Sequence, residues 1–532
     1  MAKSIMIQGT TSNAGKSLLV TALCRILAQD GYRVAPFKSQ NMALNSFVTN
    51  EGLEMGRAQV AQAEAAGVEP SVLMNPILLK PTGDTGSQVI VRGEVVGDME
   101  AAAYYDYKQT LRPVIQECYD ELDSRSDIVV LEGAGSPAEI NLKANDIVNM
   151  GMAKMASAPV LLAGDIDLGG VFASLYGTIA LLDPDERPYV KGTLINKFRG
   201  DVSLLEPGLV QLAALTGVPT LGVVPWLDVA IDAEDSQSSD IPVSSIPNSA
   251  VDIVIIKLPH ISNFTDFAPL AHYPHVSLRY VESPSQVGRP HMIVVPGTKN
   301  TMADLAWLKE HGFGNVLRAS SMSGTLVMGI CGGYQMLGER IADPHGVEGG
   351  GEVLGLGLLP VQTVFTGEKR RTRVIGRVGD LGTDSPFAGL SGTTFSGYEI
   401  HMGETEPLPC AASGNEPGAG AFSRLALAGD GLVPLGNGGE GSAAATGAGA
   451  DAAPDGFVRG NVLGTYCHGI FEDGTFPDAF VEFMSVRANI MKRGFPKETF
   501  AAFKNRQYDE LAAAVREALD MDAVMRVIEQ GV

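Results

Sequence analysis

A thiol framed by glycines could act as a nucleophile. The run Gly329-Ile-Cys331-Gly-Gly333 follows the apolar stretch Leu326–Ile330 and precedes a helical pattern. Glycines on both sides of a nucleophile permit the sharp strand-to-helix turn that exposes its side chain. A position at the start of a helix also favours the thiolate form. We therefore predict Cys331 as a nucleophile, and the backbone N–H groups expected to form its oxyanion hole are those of Gly332 and Gly297.

A cysteine nucleophile requires a base within reach. His468 follows the strand-like stretch Asn461–Gly464 and is the preferred candidate. His401 is the alternative base, although we expect it, with Tyr398, to shape a substrate pocket instead. Cys467 adjoins His468 but has no glycine elbow, so a structural role is expected for its thiol.

A loop of small and polar residues near the N-terminus could hold phosphate. It lies between the apolar run Ile5–Ile7 and a helical pattern over Ser17–Ala28, and five residues separate its two glycines. Backbone N–H groups of such a loop converge on phosphate oxygens, and the helix dipole adds favourable potential. Lys16 is expected to contact the β- and γ-phosphates and Ser17 to ligate Mg²⁺. The predicted ATP-binding residues of this loop are Gly9, Thr10, Thr11, Ser12, Asn13, Ala14, Gly15, Lys16 and Ser17.

Polar residues also follow other apolar runs of the first half. Ligands of parallel sheets bind at the carboxyl ends of the strands, so these residues are candidates for the same site. Glu132, after Ile128–Leu131, is the predicted Mg²⁺ ligand, whereas Asp165 and Asp167 occupy a similar position without an assigned role. Asn196 and Lys197 could read the adenine edge, but an ordinary turn asparagine is an equal alternative.

Composition limits the classes of protein and partner. The chain has 532 residues, a formal net charge of -22, 45% hydrophobic and 19% charged residues. This length predicts more than one domain, and the acidity disfavours nucleic acid and anionic membranes as partners. Five scattered cysteines, without C-x-x-C spacing, argue against a disulfide framework or a structural zinc site. No signal peptide or membrane span is expected, so we predict a cytoplasmic protein.

The elements that must position these groups follow an α/β rhythm. Apolar β-rich runs alternate with helical patterns, which predicts parallel sheets. The expected fold is α/β with two domains, a P-loop parallel-sheet domain and a second α/β domain that carries the Cys331 elbow. The predicted divisions are an ATP-binding domain over 1–231, a linker over 232–249, the second domain over 250–485 and a helical tail over 486–532. Within them, the Gly- and Ala-rich range 411–455 is expected to be a mobile loop.

Several longer motifs are spread over nearly the whole chain. They are FKSQNMALNS (37–46), GRAQVAQAEAAGVEPSVLMNPILLKPTGDTGSQVIVRG (56–93), LEGAGSPAEINLKANDIVNMG (131–151), GDIDLGGVFASLYGT (164–178), LINKFRGD (194–201), PGTKNT (296–301), MGICGGYQMLG (328–338), GYEIHMG (397–403) and YCHGIFE (466–472). In these motifs the chain resembles the cobyric acid synthase family of glutamine-hydrolysing amidases. The first domain also resembles dethiobiotin synthetase, which shares the five-residue glycine spacing and an E-G-A-G element, and the second resembles triad-type glutamine amidotransferases, whose active domain is a glutaminase.

The resemblance implies a reaction and its partners. The family activity is amidation of the b, d, e and g carboxylates of adenosylcobyrinic acid a,c-diamide, with one glutamine and one ATP per amide. It implies Cys331 as the nucleophile and His468 as its base. Most triad amidotransferases carry Glu two residues after the histidine, but this chain has Ile470 there. The group that orients His468 is therefore left open.

The substrate pocket is expected in the two blocks 39–46 and 75–92, which match the family most closely. Their polar side chains can donate hydrogen bonds to carboxylates in an otherwise acidic protein. Together with the two residues of the GYEIHMG motif, the predicted pocket residues are Ser39, Gln40, Asn41, Asn45, Gln88, Tyr398 and His401.

Two other functions stay open at this point. Cobyrinic acid a,c-diamide synthase shares both domains, but it carries aspartates in the loop where this chain has Gln40-Asn-Met-Ala-Leu-Asn45. A P-loop switch ATPase would belong to a different class. Such proteins carry a lysine five positions before the P-loop lysine, where this chain has Thr11, and they have no place for a glutaminase domain.

Overall fold

Two compact units make up the computed structural model of the chain. The structure describes residues 2–83, 85–231, 251–409, 419–428, 452–490, 496 and 498–532. One unit comprises residues 1–43, 53–234 and 503–532, and the other comprises residues 44–52 and 235–502. The predicted linker 232–249 lies outside the described residues.

The first unit is built on a six-stranded sheet in which every pairing is parallel. Its central strands are apolar and almost wholly buried, as expected of a sheet covered on both faces. The sequence predicts five buried strands in this half from apolar runs, and all five lie in the sheet: Ile5–Ile7, Val34–Phe37, Ile128–Leu131, Val160–Ala163 and Thr193–Ile195. In spatial order the strands are Thr220–Pro225, Val190–Phe198, Val160–Asp165, Lys3–Gly9, Ile128–Glu132 and Val34–Phe37.

Helices and a smaller sheet complete the first unit. The smaller sheet contains Gln40–Met42, Ile77–Pro81, Gly86–Val91 and Glu94–Glu100. The α-helices before the second unit are Lys16–Gln29, Arg57–Ala66, Ala101–Tyr107, Arg112–Arg125, Met150–Met155, Val171–Leu181 and Glu206–Thr216.

The end of the chain packs into the first unit. Its helices are Phe500–Ala518, which belongs to this unit from Phe503 onward, and Met521–Gln530. Leu511, Val515 and Val524 are fully buried in the same core as Leu23 of the helix after the phosphate loop. The range 486–532, expected to be a tail, is therefore largely part of the first unit, because its apolar face covers that core.

The second unit is built on another six-stranded sheet. Five strands are parallel and the last, Phe457–Arg459, is antiparallel. The apolar runs Met292–Val295 and Leu326–Ile330 predict strands from sequence, and both strands lie at the centre of this sheet with the same bounds. In spatial order the strands are Val276–Val281, Val251–Ile256, Met292–Val295, Leu326–Ile330, Val462–Thr465 and Phe457–Arg459. The α-helices of this unit are Ala268–Ala271, Thr301–Glu310, Phe313–Met322, Gly332–Leu337 and Phe476–Arg487.

A second sheet in this unit includes part of the range predicted as a loop. Ser423–Leu427 pairs with the long strand Val361–Val378, and Ala453–Asp455 pairs with Ser423–Leu427. Phe422 and Leu425 are buried and give this stretch an apolar face. The average composition of 411–455, which is rich in Gly and Ala, does not reveal that face. The loop prediction therefore does not hold for these two stretches, and 411–418 and 429–451 lie outside the described residues. The other strands are Arg340–Asp343, Gly351–Leu354 and Thr394–Pro407.

A short piece of the N-terminal half also belongs to the second unit. The chain enters it at Leu44 and leaves it after Gly52. This 44–52 segment contains the strand Ser46–Val48, all of it buried. The predicted first domain, 1–231, assigns this segment to the ATP-binding half.

In the part of the chain that the structure describes, no helix is both long enough and apolar enough to cross a membrane.

Candidate active site

The phosphate loop of the first unit has the predicted strand–loop–helix setting. Lys3–Gly9 ends where the loop begins, and the helix Lys16–Gln29 starts at Lys16. Gly15 has φ +83°, and a Cβ at this position would collide with the side-chain amide of Asn196. That amide donates to the carbonyl oxygen of Ala14 over 2.9 Å. Asn196 therefore closes the loop from the strand Val190–Phe198, which is two places from Lys3–Gly9 in the sheet, and Gly15 is required for both conformation and space.

The Lys16 side chain packs against the phosphate loop. Its ammonium donates to the carbonyl oxygens of Thr11 at 2.9 Å and Ser12 at 3.0 Å, and its side chain is buried. A lysine in this position can exchange loop carbonyls for phosphate oxygens with little movement of its stem.

Glu132 lies at the centre of a buried polar cluster beside the loop. The Ser17 hydroxyl donates to its Oε1 over 2.8 Å, and the Lys38 ammonium contacts the same oxygen at 2.8 Å. The Gln62 amide donates to its Oε2 over 2.5 Å. The strands that end at Glu132 and before Lys38 are neighbours in the sheet, which explains why both side chains reach this edge. Lys38 and Gln62 are functional candidates that the sequence interpretation did not single out.

The donor set at this edge fits the Mg²⁺ that ATP requires. Mg²⁺ in nucleotide sites takes one or two protein oxygens, and phosphate and water supply the rest. The Ser17 hydroxyl and the Glu132 carboxylate already meet within hydrogen-bond distance. Asp165 is not free for this role, because the Lys197 ammonium contacts its Oδ2 at 2.9 Å. Asp167 faces Arg199 at 3.5 Å.

The predicted substrate residues are divided between the units. Ser39, Gln40, Asn41 and Gln88 belong to the first, and Asn45, Tyr398 and His401 belong to the second. In the first unit, the Ser39 hydroxyl donates to the Ile147 carbonyl oxygen over 2.7 Å, and the Asn41 amide donates to Gln59 over 3.0 Å. Gln40 accepts from the Tyr104 hydroxyl at 2.5 Å. Gln88 is buried, paired in register with Lys80.

Cys331 of the second unit forms the predicted elbow. It links the strand Leu326–Ile330 to the helix Gly332–Leu337 and has φ +51° and ψ −110°, which is strained for a residue other than glycine. A Cβ at Gly333 would collide with the carbonyl oxygen of Val295. The glycine frame is thus needed for the close approach of this turn to the neighbouring strand. The Sγ atom lies 3.6 Å from the Ile400 carbonyl oxygen.

His468 is held by a carboxylate that the sequence interpretation did not identify. Its Nδ1 lies 2.6 Å from Oδ2 of Asp266, and the other oxygen of Asp266 accepts from the Gly469 N–H at 3.0 Å. Both side chains are buried. Asp266 lies in the short 3₁₀ turn Phe264–Phe267, far from His468 in sequence. Asp266 thus supplies a carboxylate that can orient the His468 ring, whereas the apolar side chain of Ile470 has no group that could accept a hydrogen bond from it.

The environment of His468 favours a protonated ring. Burial alone would lower its pKa, but the charge and hydrogen bond of Asp266, followed by the interactions with Cys331, raise the pKa to about 10. Because Asp266 occupies Nδ1, Nε2 is the nitrogen left for Cys331. The ring can therefore keep a proton on the side that faces Cys331.

Tyr398 supports His468 from one side. The two rings stack with centroids 5.5 Å apart and planes 19° apart. Their backbones exchange hydrogen bonds of 3.1 and 2.9 Å. Tyr398 is thus a support of the histidine, and its place in a substrate pocket stays a prediction.

The other predicted residues of the thiol site surround this pair. His401 donates through Nδ1 to the Gly403 carbonyl oxygen over 2.8 Å and stacks on Tyr466. A Cβ at Gly297 would lie 3.0 Å from the His468 ring, and one at Gly332 would lie 2.7 Å from Thr298. Both glycines therefore adjoin the site. Burial raises the pKa of the Cys467 thiol well above its usual value, which disfavours it as a rival nucleophile.

Two protein families match the chain, one in each half. Residues 5–240 match the CobQ/CobB/MinD/ParA nucleotide binding domain. Residues 252–421 match the CobB/CobQ-like glutamine amidotransferase domain.

Curated relatives match over the full length. A cobyric acid synthase of Ruminiclostridium cellulolyticum is 53% identical, with 100% of this chain and 98% of the relative covered. One of Lachnoclostridium phytofermentans is 52% identical with both chains covered completely. One of Yersinia enterocolitica is 48% identical over 99% of this chain and 98% of the relative.

Proposed function

The chain belongs to the cobyric acid synthase family of glutamine-dependent amidoligases, and from that premise we propose how its residues divide the reaction. The second unit releases ammonia from glutamine at Cys331. The first unit uses ATP to activate carboxylates b, d, e and g of adenosylcobyrinic acid a,c-diamide as acyl phosphates. The observation that carries the proposal is the buried His468–Asp266 pair beside the Cys331 elbow, in one chain with a phosphate loop.

Glutamine hydrolysis begins with the thiolate of Cys331. Its sulfur attacks the side-chain amide carbon, and the negative charge that develops on the amide oxygen is stabilised by the N–H groups of Gly332 and Gly297. His468 has taken the thiol proton on Nε2 and delivers it to the leaving nitrogen, so ammonia departs and a thioester remains. Water, deprotonated by His468, then hydrolyses the thioester to glutamate and restores Cys331. Asp266 holds the ring in the required tautomer throughout.

Amide formation takes place at the phosphate loop. A substrate carboxylate oxygen attacks the γ-phosphorus of ATP, ADP leaves, and an acyl phosphate forms. Ammonia then attacks the acyl carbon, phosphate departs, and a proton is lost to give the amide. Lys16 and the loop N–H groups neutralise the charge on the transferred group. Mg²⁺, held by Ser17 and Glu132, would supply further charge neutralisation on the phosphates.

Lys38 provides a second positively charged side chain at this site, in addition to Lys16. Its ammonium contacts Glu132 and is buried with it. A cation at the carboxyl edge of the sheet can attract the acceptor carboxylate and the developing acyl phosphate. We assign the surrounding polar residues Ser39, Gln40, Asn41 and Gln88 to the support of this substrate region. ATP use and the free thiols of Cys24, Cys118, Cys331 and Cys467 fit a reducing cytoplasm as the setting.

The decisive experiment is mass spectrometry of corrinoid products. Cobyrinic acid and its a,c-diamide are each incubated with the enzyme, ATP, Mg²⁺ and glutamine labelled at the amide nitrogen. The proposal expects four labelled amides on the a,c-diamide. Labelled amides only at positions a and c of cobyrinic acid would assign the chain to the diamide synthase reaction instead. Hydrolysis of ATP without amide formation would favour a nucleotide switch.

A further inference from the structure

We propose that the 44–52 segment positions the His468–Asp266 pair, with Asn263 and Asn45 as the positioning residues. The inference rests on the proposed glutaminase role of Cys331. Neither asparagine reaches a reacting atom; each acts through a neighbour of the pair. The segment therefore contributes to the geometry of a site whose other residues come from the second half of the chain.

Burial of the segment is the first observation. Asn45, Ser46 and Val48 have no exposed surface, and Leu44 and Thr49 are 1% exposed. Packing this complete places the Asn45 side chain and the Ser46 backbone carbonyl inside the second unit, where each polar group needs a partner. Their partners are residues next to the catalytic pair.

Asn263 forms the principal bridge. Its amide donates to the Ser46 carbonyl oxygen over 2.8 Å and to the Tyr398 hydroxyl oxygen over 2.7 Å. The Tyr398 hydroxyl donates to the same Ser46 carbonyl over 3.3 Å. Asn263 has φ +52°, a left-handed conformation that asparagine tolerates better than most residues. A strained backbone at this position indicates that its two hydrogen bonds are maintained by the surrounding structure.

Asn45 forms a second bridge, to the turn that carries Asp266. Its Oδ1 accepts from the Thr265 hydroxyl over 3.1 Å, and Thr265 is the residue before Asp266. Phe47 packs edge-on against the Tyr398 ring, with centroids 5.7 Å apart. The segment thus contacts the supports of both members of the pair: the ring stacked on His468 and the turn that holds Asp266.

The expected effect is on turnover and not on glutamine affinity. The His468–Asp266 contact is 2.6 Å long and both groups are buried, so a small rotation of either ring or turn misaligns the proton transfer. Glutamine binding does not depend on that alignment. Loss of either bridge should therefore lower kcat for glutamine hydrolysis and leave KM nearly unchanged.

The test uses substitutions in the full-length enzyme, each of which removes one bridging group. Tyr398→Phe keeps the ring that stacks on His468 and removes only the hydroxyl. Asn263→Gly keeps the left-handed backbone and removes the amide. Thr265→Val removes the donor to Asn45, whereas Thr265→Ser retains it. We expect Tyr398→Phe, Asn263→Gly and Thr265→Val each to reduce kcat about tenfold or more with KM within about threefold. Thr265→Ser should restore kcat.

A matched control is available at the start of the strand Val462–Thr465, whose opposite end leads to His468. The Asn461 amide bridges the carbonyl oxygens of Ser321 and Thr325 at the start of Val462–Thr465, whereas His468 follows the end of that strand. Asn461→Ala removes a half-buried asparagine bridge without touching the catalytic pair. It should lower the melting temperature and leave kcat unchanged.

The outcomes separate this inference from the proposed function. Folded Tyr398→Phe and Thr265→Val enzymes with wild-type kcat would overturn the positioning role, even if Asn263→Gly failed to fold. A kcat loss in Thr265→Ser equal to that in Thr265→Val would also overturn it, because the hydroxyl would then be irrelevant. Normal glutamine hydrolysis by Cys331→Ser would instead overturn the proposed function itself.

Discussion

At the scale of residues, Cys331 and His468 should be needed only for the use of glutamine. Cys331→Ser lacks the acidity of the thiol, and His468→Ala lacks the base, so both should lose glutamine-dependent amidation almost completely. Both should still form amides from a high concentration of ammonium salt at mildly alkaline pH, where free ammonia is present. Product assays with the two nitrogen sources measure this separation.

Cys467→Ala is the control for that prediction. Its thiol is buried beside His468 but has no elbow, so the variant should keep both activities. Failure of Cys331→Ser with ammonia as well as glutamine would contradict the separation of the two chemistries.

Lys16 provides the complementary prediction for the first unit. Lys16→Ala should abolish amidation with either nitrogen source, because the ammonium that neutralises the phosphate charge is lost. Glutamine hydrolysis should remain close to that of the wild type, since Cys331 lies in the other unit. The melting temperature should fall, because the Thr11 and Ser12 carbonyl oxygens lose their donor. Removal of Mg²⁺ with a chelator should reproduce the same pattern in the unmodified enzyme. Near-normal synthesis by Lys16→Ala would remove the assignment of the phosphate loop.

The His468–Asp266 pair should also be visible in the stability of the protein. A histidine whose pKa is raised from 6.5 to about 10 on folding stabilises the native state fully below about pH 6.5. That stabilisation declines as the pH rises and is lost through about pH 10. In Asp266→Asn the ring has no carboxylate partner, so the decline in melting temperature across this window should become smaller. His468→Gln should flatten the same window, and an unchanged slope in both variants would contradict the raised pKa.

Asp266 illustrates which residues a single sequence reveals. Cys331 was predictable because its glycines and apolar strand are local signals, and His468 because it follows a strand end. Asp266 is 202 positions away from His468, in a 3₁₀ turn without a spacing pattern that links it to the histidine. Lys38 and Gln62 were missed for the same reason: only the folded chain brings Lys38, after a neighbouring strand, and Gln62, on the helix Arg57–Ala66, to Glu132.

At the scale of elements, two left-handed glycines test what the phosphate loop requires. Gly15→Ala combines a strained φ with a collision against Asn196, so we expect nucleotide binding to be lost. Gly67 has φ +70° at the end of the helix Arg57–Ala66 but open space around it. Gly67→Ala should cost about 1 kcal/mol of stability and leave nucleotide affinity unchanged. Titration with a fluorescent ATP analogue would compare them, and equal affinities would contradict the close packing of the loop.

Strand prediction succeeded where apolar runs were continuous and failed where small residues diluted the signal. The buried parallel strands are runs such as Met292–Val295, which no other element would bury so completely. Ser423–Leu427 alternates buried and exposed positions beside a Gly- and Ala-rich region, so the average composition concealed it. Its partner on the long strand Val361–Val378 lies many residues earlier, which local periodicity does not register.

At the scale of the whole molecule, the divisions predicted from sequence were contiguous, whereas the units of the structure are not. Helical patterns identified the helix Phe500–Ala518, but nothing local indicated that its apolar face completes the core of the first unit. The sequence of the 44–52 segment likewise contains no local pattern that assigns it to the second unit. Both assignments depend on packing between distant parts of the chain, which one sequence does not encode in any local pattern.

A fragment experiment follows from these units. A chain of residues 251–502 lacks the 44–52 segment, so the Tyr398 and Thr265 sides of the glutaminase site lose their partners. We expect this fragment to hydrolyse glutamine much more slowly than the full chain, and to melt at a lower temperature. Fragments 1–231 and 251–532 produced together contain every described element and should recover activity. Full activity of 251–502 alone would contradict the dependence on the segment.

The two crossings of the chain, at Leu44 and after Gly52, bear on how such a gene can evolve. Two ancestral genes joined end to end can be separated again by one break, because each half still encodes a complete product. Here a break between the halves leaves nine codons for the ammonia-producing part on the wrong side, and the codons for the last helices of the ATP-binding part on the other. Fission of the gene would therefore leave each product incomplete unless both fragments are made in the same cell and reassemble. A single reading frame avoids that dependence and supplies the two activities in equal number.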